Sequence, residues 1–272
     1  MSDDLDTSQV PDYRGLLSLE GKVFIVLGAG QGIGRQAAHA LAQAGARVVC
    51  VGRRREPTEA VATQVGGHAF TGDAGVRADV ERLRDQTMQR FGRIDGLVDI
   101  LGQPLHRALG EMTDEEWDWQ FDVGLRHVFL SAQLIGKQVG ACGGGSLVYV
   151  SSTSAHAISH QRSAYAASKA ALEQFVAAAA VELGASGVRV NAVAPGLVCT
   201  PRVNATMKPE ALAWAAARYP MGQVGTPPEI ASVILFLACG LSSHMTGQTL
   251  LAEGGSLARS PVYDMHAVGR AA

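Results

Sequence analysis

The chain has 272 residues, 47% apolar and 18% charged, which suits a large α/β domain with a closed core and excludes disordered, fibrous and disulfide-stapled architectures. A formal charge of −2 provides no basic field, so neither nucleic acid nor a membrane surface is expected as a partner. Two features of composition stand out: 32 glycines, and only four lysines (Lys22, Lys137, Lys169, Lys208) among 23 basic residues.

In chain order, Met1–Asp6 is acidic and lacks the basic and apolar regions of a signal peptide, and no apolar run reaches the ~18 residues of a membrane span. Cys50, Cys142, Cys199 and Cys239 are scattered without a Cys-x-x-Cys pair and read as buried thiols in a cytoplasmic protein. Residues 1–18 read as a polar tail, 19–255 as one domain without linker or internal repeat, and 256–272 as a second tail. Within the domain, β-branched runs alternate with Ala- and Leu-rich helical stretches, the pattern of a parallel sheet wrapped by helices. Strands are predicted at Lys22–Leu27, Arg47–Val51, His68–Thr71, Gly96–Leu101, Ser146–Val150, Val188–Ala192 and Thr249–Leu251, giving a seven-stranded, doubly wound α/β fold.

The first predicted strand runs into Gly28-Ala29-Gly30-Gln31-Gly32-Ile33-Gly34, with a helix expected from near Arg35. Gly28, Gly32 and Gly34 allow a turn that brings backbone close to a diphosphate at a helix N-terminus, where free N–H groups and the helix dipole favour an anion. In this position the turn points to a Rossmann dinucleotide-binding domain. The second strand ends in Gly52-Arg53-Arg54-Arg55, with no carboxylate to take a ribose 2′-hydroxyl. Arg53, with Arg54 beside it, suits a 2′-phosphate, and cations at a helix start call for a compensating anion. NADP(H) is therefore the expected cofactor, with NAD(H) as the alternative. Asp73, followed by Ala74 just past the third strand, is placed to accept a hydrogen bond from the adenine amino group.

Thr113 with Glu116, and Thr226 with Pro227 and Glu229, read as capping boxes that start helices. Trp117 and Trp119 read as packing residues. Ser152 falls at the C-terminal end of the fifth predicted strand, the edge where ligands bind in open α/β sheets. Tyr165-Ala166-Ala167-Ser168-Lys169 opens an Ala-rich helix, and the spacing sets tyrosine and lysine on one face. An ammonium beside a phenol favours the phenolate, an acid/base design for interconverting carbonyl and alcohol.

With these residues the chain resembles the short-chain dehydrogenase/reductase family over roughly residues 19–255. Gly28, Gly32 and Gly34 match its glycine motif, Ser152, Tyr165 and Lys169 its catalytic set, and Asn191-Ala192-Val193-Ala194-Pro195-Gly196 its sixth-strand segment. The resemblance implies that Tyr165 donates a proton to the carbonyl oxygen, that Ser152 hydrogen-bonds it, and that Lys169 holds the nicotinamide ribose and lowers the tyrosine pKa. It places Gly102, Pro195, Gly196, Val198 and Thr200 beside the cofactor, with Gly30, Gln31 and Ile33 of the turn. It also implies a homotetramer or homodimer.

Two departures from the family pattern matter. Asp99-Ile100-Leu101-Gly102 stands where the family usually has Asn-Asn-Ala-Gly, and Gly124 stands where it has an asparagine whose carbonyl fixes a water in the proton relay. Without that side chain a helix bulge at Gly124 is expected to be less well specified. Gln31, where many NADP-dependent members carry Arg or Lys, keeps NAD in play. Residues 197–220 are expected to form a substrate flap, with Met207 and Trp214 facing an apolar carbonyl compound, and Ser154, His156 and His160 lining the pocket from the other side. A third metal ligand is lacking beside the two histidines, so no metal is expected. In the C-terminal tail, Pro261, Val262, Tyr263 and Met265 are expected to cap the pocket or reach a neighbouring subunit. The expected function is reduction of a medium or bulky apolar ketone, reversibly, by NADP(H). The alternatives are an NAD-dependent alcohol dehydrogenase, and a cofactor-binding sensor or scaffold whose activity has decayed.

Overall fold

The structure, a computed structural model, describes residues 8–258. Its seven strands are β1 (Val23–Leu27), β2 (Arg47–Gly52), β3 (His68–Thr71), β4 (Gly96–Asp99), β5 (Gly145–Val150), β6 (Val188–Pro195) and β7 (Thr249–Ala252). They form one sheet in the order β3-β2-β1-β4-β5-β6-β7, parallel throughout. β1 is buried on both faces, as its unbroken Val-Phe-Ile-Val-Leu run requires. Its alternate residues feed two cores: Val23, Ile25 and Leu27 one, Phe24 and Val26 the other.

One core is closed by α3 (Arg77–Phe91), α5 (His127–Ser131) and α7 (Ser163–Gly184), the other by α1 (Gly32–Gln43), α2 (Arg55–Gln64) and α10 (Pro227–Ala238). Between β4 and β5 the chain runs through α4 (Asp114–Phe121), a π turn at Asp122–Arg126, α5, a second π turn at Ala132–Gly136, and α6 (Lys137–Ala141). Both predicted capping boxes form, at Thr113 for α4 and at Thr226 for α10. No helix among the described residues is long and apolar enough to cross a membrane.

Several expectations shift. α1 begins at Gly32, three residues before the predicted start, because the turn winds directly into it. β4 stops at Asp99, since its carboxylate turns back to accept the Leu101 N–H at 2.9 Å and ends the ladder. β6 runs on to Pro195, where β7 supplies partners as far as Ala252. Trp117 and Trp119 remain about 40% exposed, Trp117 resting against the Phe121 ring, so neither belongs to the core. Cys50 and Cys239 are buried, whereas Cys142 and Cys199 are only partly so. The flap holds two short helices, α8 (Pro201–Thr206) and α9 (Pro209–Ala216). The first tail is seated in part: Gly15–Leu17 forms a 3-10 turn, and Leu16 packs against Gly240. Pro261, Val262, Tyr263 and Met265 lie outside the described residues.

Candidate active site

The glycine turn sits at the C-terminal end of β1, where the sheet order reverses between β1 and β4. At Gly34 the chain passes so close to Gly28 that any side chain would run into the Gly28 carbonyl. That approach folds the turn tightly over the start of α1, whose first turn carries no acidic residue. The wall opposite is made by Ile100 and Leu101 beside Gly28, and by Thr200 and Pro201 beside Gly32. At the far end, Arg54 donates to Gln31 at 3.2 Å, and Arg53 lies 3.7 Å from Asp73. The structure thus gathers the turn, both arginines and Asp73 into one corner. Helix N-terminal N–H groups, two exposed guanidinium heads held only by Gln31 and, at 3.7 Å, by Asp73, and no carboxylate in the turn fit an anionic dinucleotide. Ala74 is buried behind Asp73.

The second half of the site is carried by α7, an Ala-rich helix of 22 residues that starts at Ser163. Tyr165, 9% exposed, and Lys169, 2% exposed, lie on its inner face with the Lys169 Nζ 6.0 Å from the Tyr165 ring centre. Burial raises the Tyr165 pKa, while a hydrogen bond to Ser152 and the charge of Arg162 oppose it. Burial pushes the Lys169 ammonium down to about 8, against the pull of Asp99 and Glu173. Lys169 donates to the Val150 carbonyl at 2.8 Å and to the Leu101 carbonyl at 3.4 Å. Gly102, at φ 137°, follows immediately, and a side chain there would meet the lysine nitrogen at 2.9 Å. Serine, tyrosine and lysine therefore converge at the C-terminal ends of β4 and β5, with the lysine held by one carbonyl from each of those ends.

Pro195 closes β6 and Gly196 donates to the Ala252 carbonyl, so both sit at the same edge of the sheet. Val198 is buried and bridges to Gly225, while Thr200 caps α8 by accepting the Val203 N–H. Ile33 packs into the core under α1. Among residues expected to face substrate, Ser154 is buried and its N–H donates to the Ser152 Oγ at 3.1 Å, which holds that hydroxyl in place. His156 pairs with Glu173 at 3.0 Å, His160 is exposed, and Met207 is partly buried. Trp214 is 61% exposed and stacks under the Arg218 guanidinium at 3.4 Å.

Four residues given no role in the sequence reading shape the site. Gln120, fully buried, accepts the Leu105 N–H at 2.7 Å and donates to the Gln103 carbonyl at 3.1 Å, pinning the segment after β4. Glu173 accepts from the Ser151 hydroxyl at 2.6 Å, next to Ser152. His127 pairs with Asp99 at 2.7 Å. Ser168 donates to the Tyr165 carbonyl at 2.8 Å and crowds Gly124, where a Cβ would stand 2.8 Å from its Oγ. The bulge, expected to be less well specified without the asparagine side chain, is formed: the π turn centres on Gly124, packed against α7 and flanked by anchored Gln120 and His127. The i,i+4 step from Lys169 to Glu173 was the one available sequence signal for these residues.

A family profile described as enoyl-(acyl carrier protein) reductase matches residues 28–256. The chain is 35% identical over 244 residues to the short-chain reductase protein NovJ of Streptomyces niveus, covering 86% of this chain and 93% of that protein. It is also 35% identical over 244 residues to the 3-oxoacyl-(acyl-carrier-protein) reductase FabG of Thermotoga maritima, covering 88% and 99% respectively. Among solved structures, a 7α-hydroxysteroid dehydrogenase complexed with NADH and 7-oxo glycochenodeoxycholic acid superimposes with a TM-score of 0.83 at 30% identity, over 89% of this chain and 96% of that one.

Proposed function

The chain belongs to the short-chain dehydrogenase/reductase family and is an NAD(P)(H)-dependent oxidoreductase of the CH–OH/C=O class, and on that premise we propose that it reduces a medium or bulky apolar ketone with NADP(H). The observation that carries the reading is the convergence of Ser152, Tyr165 and Lys169 on one open sheet edge, beside a glycine turn built for a dinucleotide. The bound cofactor supplies the hydride. Ser152, its oxygen held by the Ser154 N–H, orients the substrate carbonyl, and Tyr165 delivers a proton to the carbonyl oxygen. Lys169 steadies the phenol electrostatically and presents its ammonium to the cleft, anchored by two backbone carbonyls. Arg53 and Arg54 meet the 2′-phosphate, and Met207, with other apolar flap residues, shields the reacting carbonyl from water. The scattered, unpaired cysteines suit a cytoplasmic setting, and the family resemblance implies a homotetramer or homodimer.

A panel of ketones and secondary alcohols run with both cofactors tests this directly. Tyr165→Phe should lower turnover by about 10²–10⁴-fold while keeping cofactor affinity, and retained turnover would remove the tyrosine from its role. Arg53→Ala should weaken NADP binding roughly ten- to hundredfold and NAD binding little. Equal losses would favour the NAD-dependent alcohol dehydrogenase. Tight cofactor binding without turnover across the panel would favour a sensor.

A further inference from the structure

Asp99 ends β4 and His127 opens α5; both are buried, 1% and 3% exposed, and Oδ2 of the one lies 2.7 Å from Nδ1 of the other. The second carboxylate oxygen accepts the N–H of Leu101, the same residue whose carbonyl accepts from Lys169. Asp99 and Lys169 therefore grip one stretch of backbone from its two sides.

The protonation state follows from satisfaction. His127 Nε2 is buried and has no hydrogen-bond partner among the described residues. An imidazolium would strand an N–H donor there, whereas a neutral ring carrying its proton on Nδ1 leaves only a lone pair. The ring is therefore neutral and donates to Asp99, which receives two donors and stays a carboxylate inside the core. A buried carboxylate calls for an opposite charge.

Lys169 supplies that charge from the other side of Leu101, donating to its carbonyl while Asp99 accepts its N–H, and Asp99 and Glu173 both favour the ammonium. The groups facing the lysine are Asp99 from β4 and Tyr165 and Glu173 from its own helix. Behind Asp99 stand His127 on α5 and Tyr149 on β5, whose hydroxyl meets Ser131 at 3.2 Å. Glu173 is already engaged by Ser151 and His156.

The geometry points to Asp99, oriented by His127, as the counter-ion that keeps Lys169 an ammonium and sets the Leu101–Gly102 backbone against it. Both are positioning residues for proton delivery by Tyr165. This consequence rests on the reductase reading, but the lysine's ionisation can be measured without it.

Four lysines make that measurement direct. The full chain, labelled with carbon-13 at the lysine ε position, is titrated by NMR, and Lys169→Met assigns the resonance of interest. In Asp99→Asn, which still accepts the Leu101 N–H, the Lys169 titration should move to lower pH by about one unit. His127→Leu should move it in the same direction, because the carboxylate loses the donor at Oδ2 that orients it beside Leu101. His127→Asn, which keeps a donor near the Nδ1 position, should stay close to the parent.

The alkaline limb of the pH–rate profile for ketone reduction should follow these shifts, which a uniform loss of rate through misfolding would not produce. A Lys169 titration unmoved in Asp99→Asn overturns the inference. A shifted titration in a protein that reduces no ketone supports it and overturns the reductase reading alone. If Asp99→Asn does not fold, the contrast between His127→Leu and His127→Asn decides instead: no difference between them overturns the inference.

Discussion

Lys169 places a cation in the interior of the site. Its ammonium is held in the core with a pKa lowered from 10.5 to about 8, so at neutral pH the fold retains a proton on a group that burial disfavours. The sign follows from linkage: between about pH 8 and 10.5 the unfolded chain binds more protons at this position than the folded one, so this contribution makes stability rise with pH across that window. Below pH 8 the penalty is fully present, roughly 3 kcal/mol at 1.36 kcal/mol per unit. Lys169→Met, similar in length and uncharged, is expected to abolish turnover, and because it strips Asp99 of its opposite charge and the Leu101 and Val150 carbonyls of their donor it should lower the denaturant midpoint at pH 7; urea unfolding at pH 7 and pH 9.5 should show the parent gaining stability with pH in a way that the variant does not. Tyr165 and Lys169 were legible in the sequence because one helical turn joins them. Asp99 and His127 were not read as a pair, since they are 28 positions apart and meet only because β4 and α5 pack side by side.

Among the elements, α7 concentrates the chemistry and α10 the framework. On α7, Tyr165, Lys169 and Glu173 repeat at intervals of four, so the stripe that faces the cleft continues one turn beyond the pair the sequence reading used. α10 packs along α1 and so backs the helix whose N-terminus faces the glycine turn. Its capping box, Thr226 with Glu229, fixes where that support begins. Thr226→Ala should lower the unfolding free energy by the ~1 kcal/mol typical of a lost N-cap, measured by urea unfolding followed by circular dichroism. Both boxes were readable because capping is local. The π turns were not, because a bulge in a helix depends on what it packs against: here Gly124 lies against Ser168, on a helix that starts 39 residues later.

At the scale of the whole molecule, the cleft belongs to no single half of the chain. The glycine turn, Arg53 and Asp73 come from the first three strand–helix units, while Lys169, Val198 and Thr200 come from the last. Cofactor binding should therefore stabilise the whole fold: at a hundred times its Kd, NADPH is expected to add about 2.7 kcal/mol, seen as a rise in Tm that exceeds the rise with NADH at the same concentration. The parallel order of the sheet was legible from the alternation of strand and helix patterns, because each crossover leaves its own periodicity. The central position of β1 has one more consequence, for synthesis. β1 leaves the ribosome first, yet its β4 edge cannot be covered until residues 96–99 follow, with β2, β3 and three helices made in between. Through that interval the most apolar strand has one edge bare, open to a second nascent chain. Chains that stall before β4 should aggregate more than chains that have passed it, because the bare edge then moves from β1, apolar throughout, to β4, which is shorter and ends in Asp99.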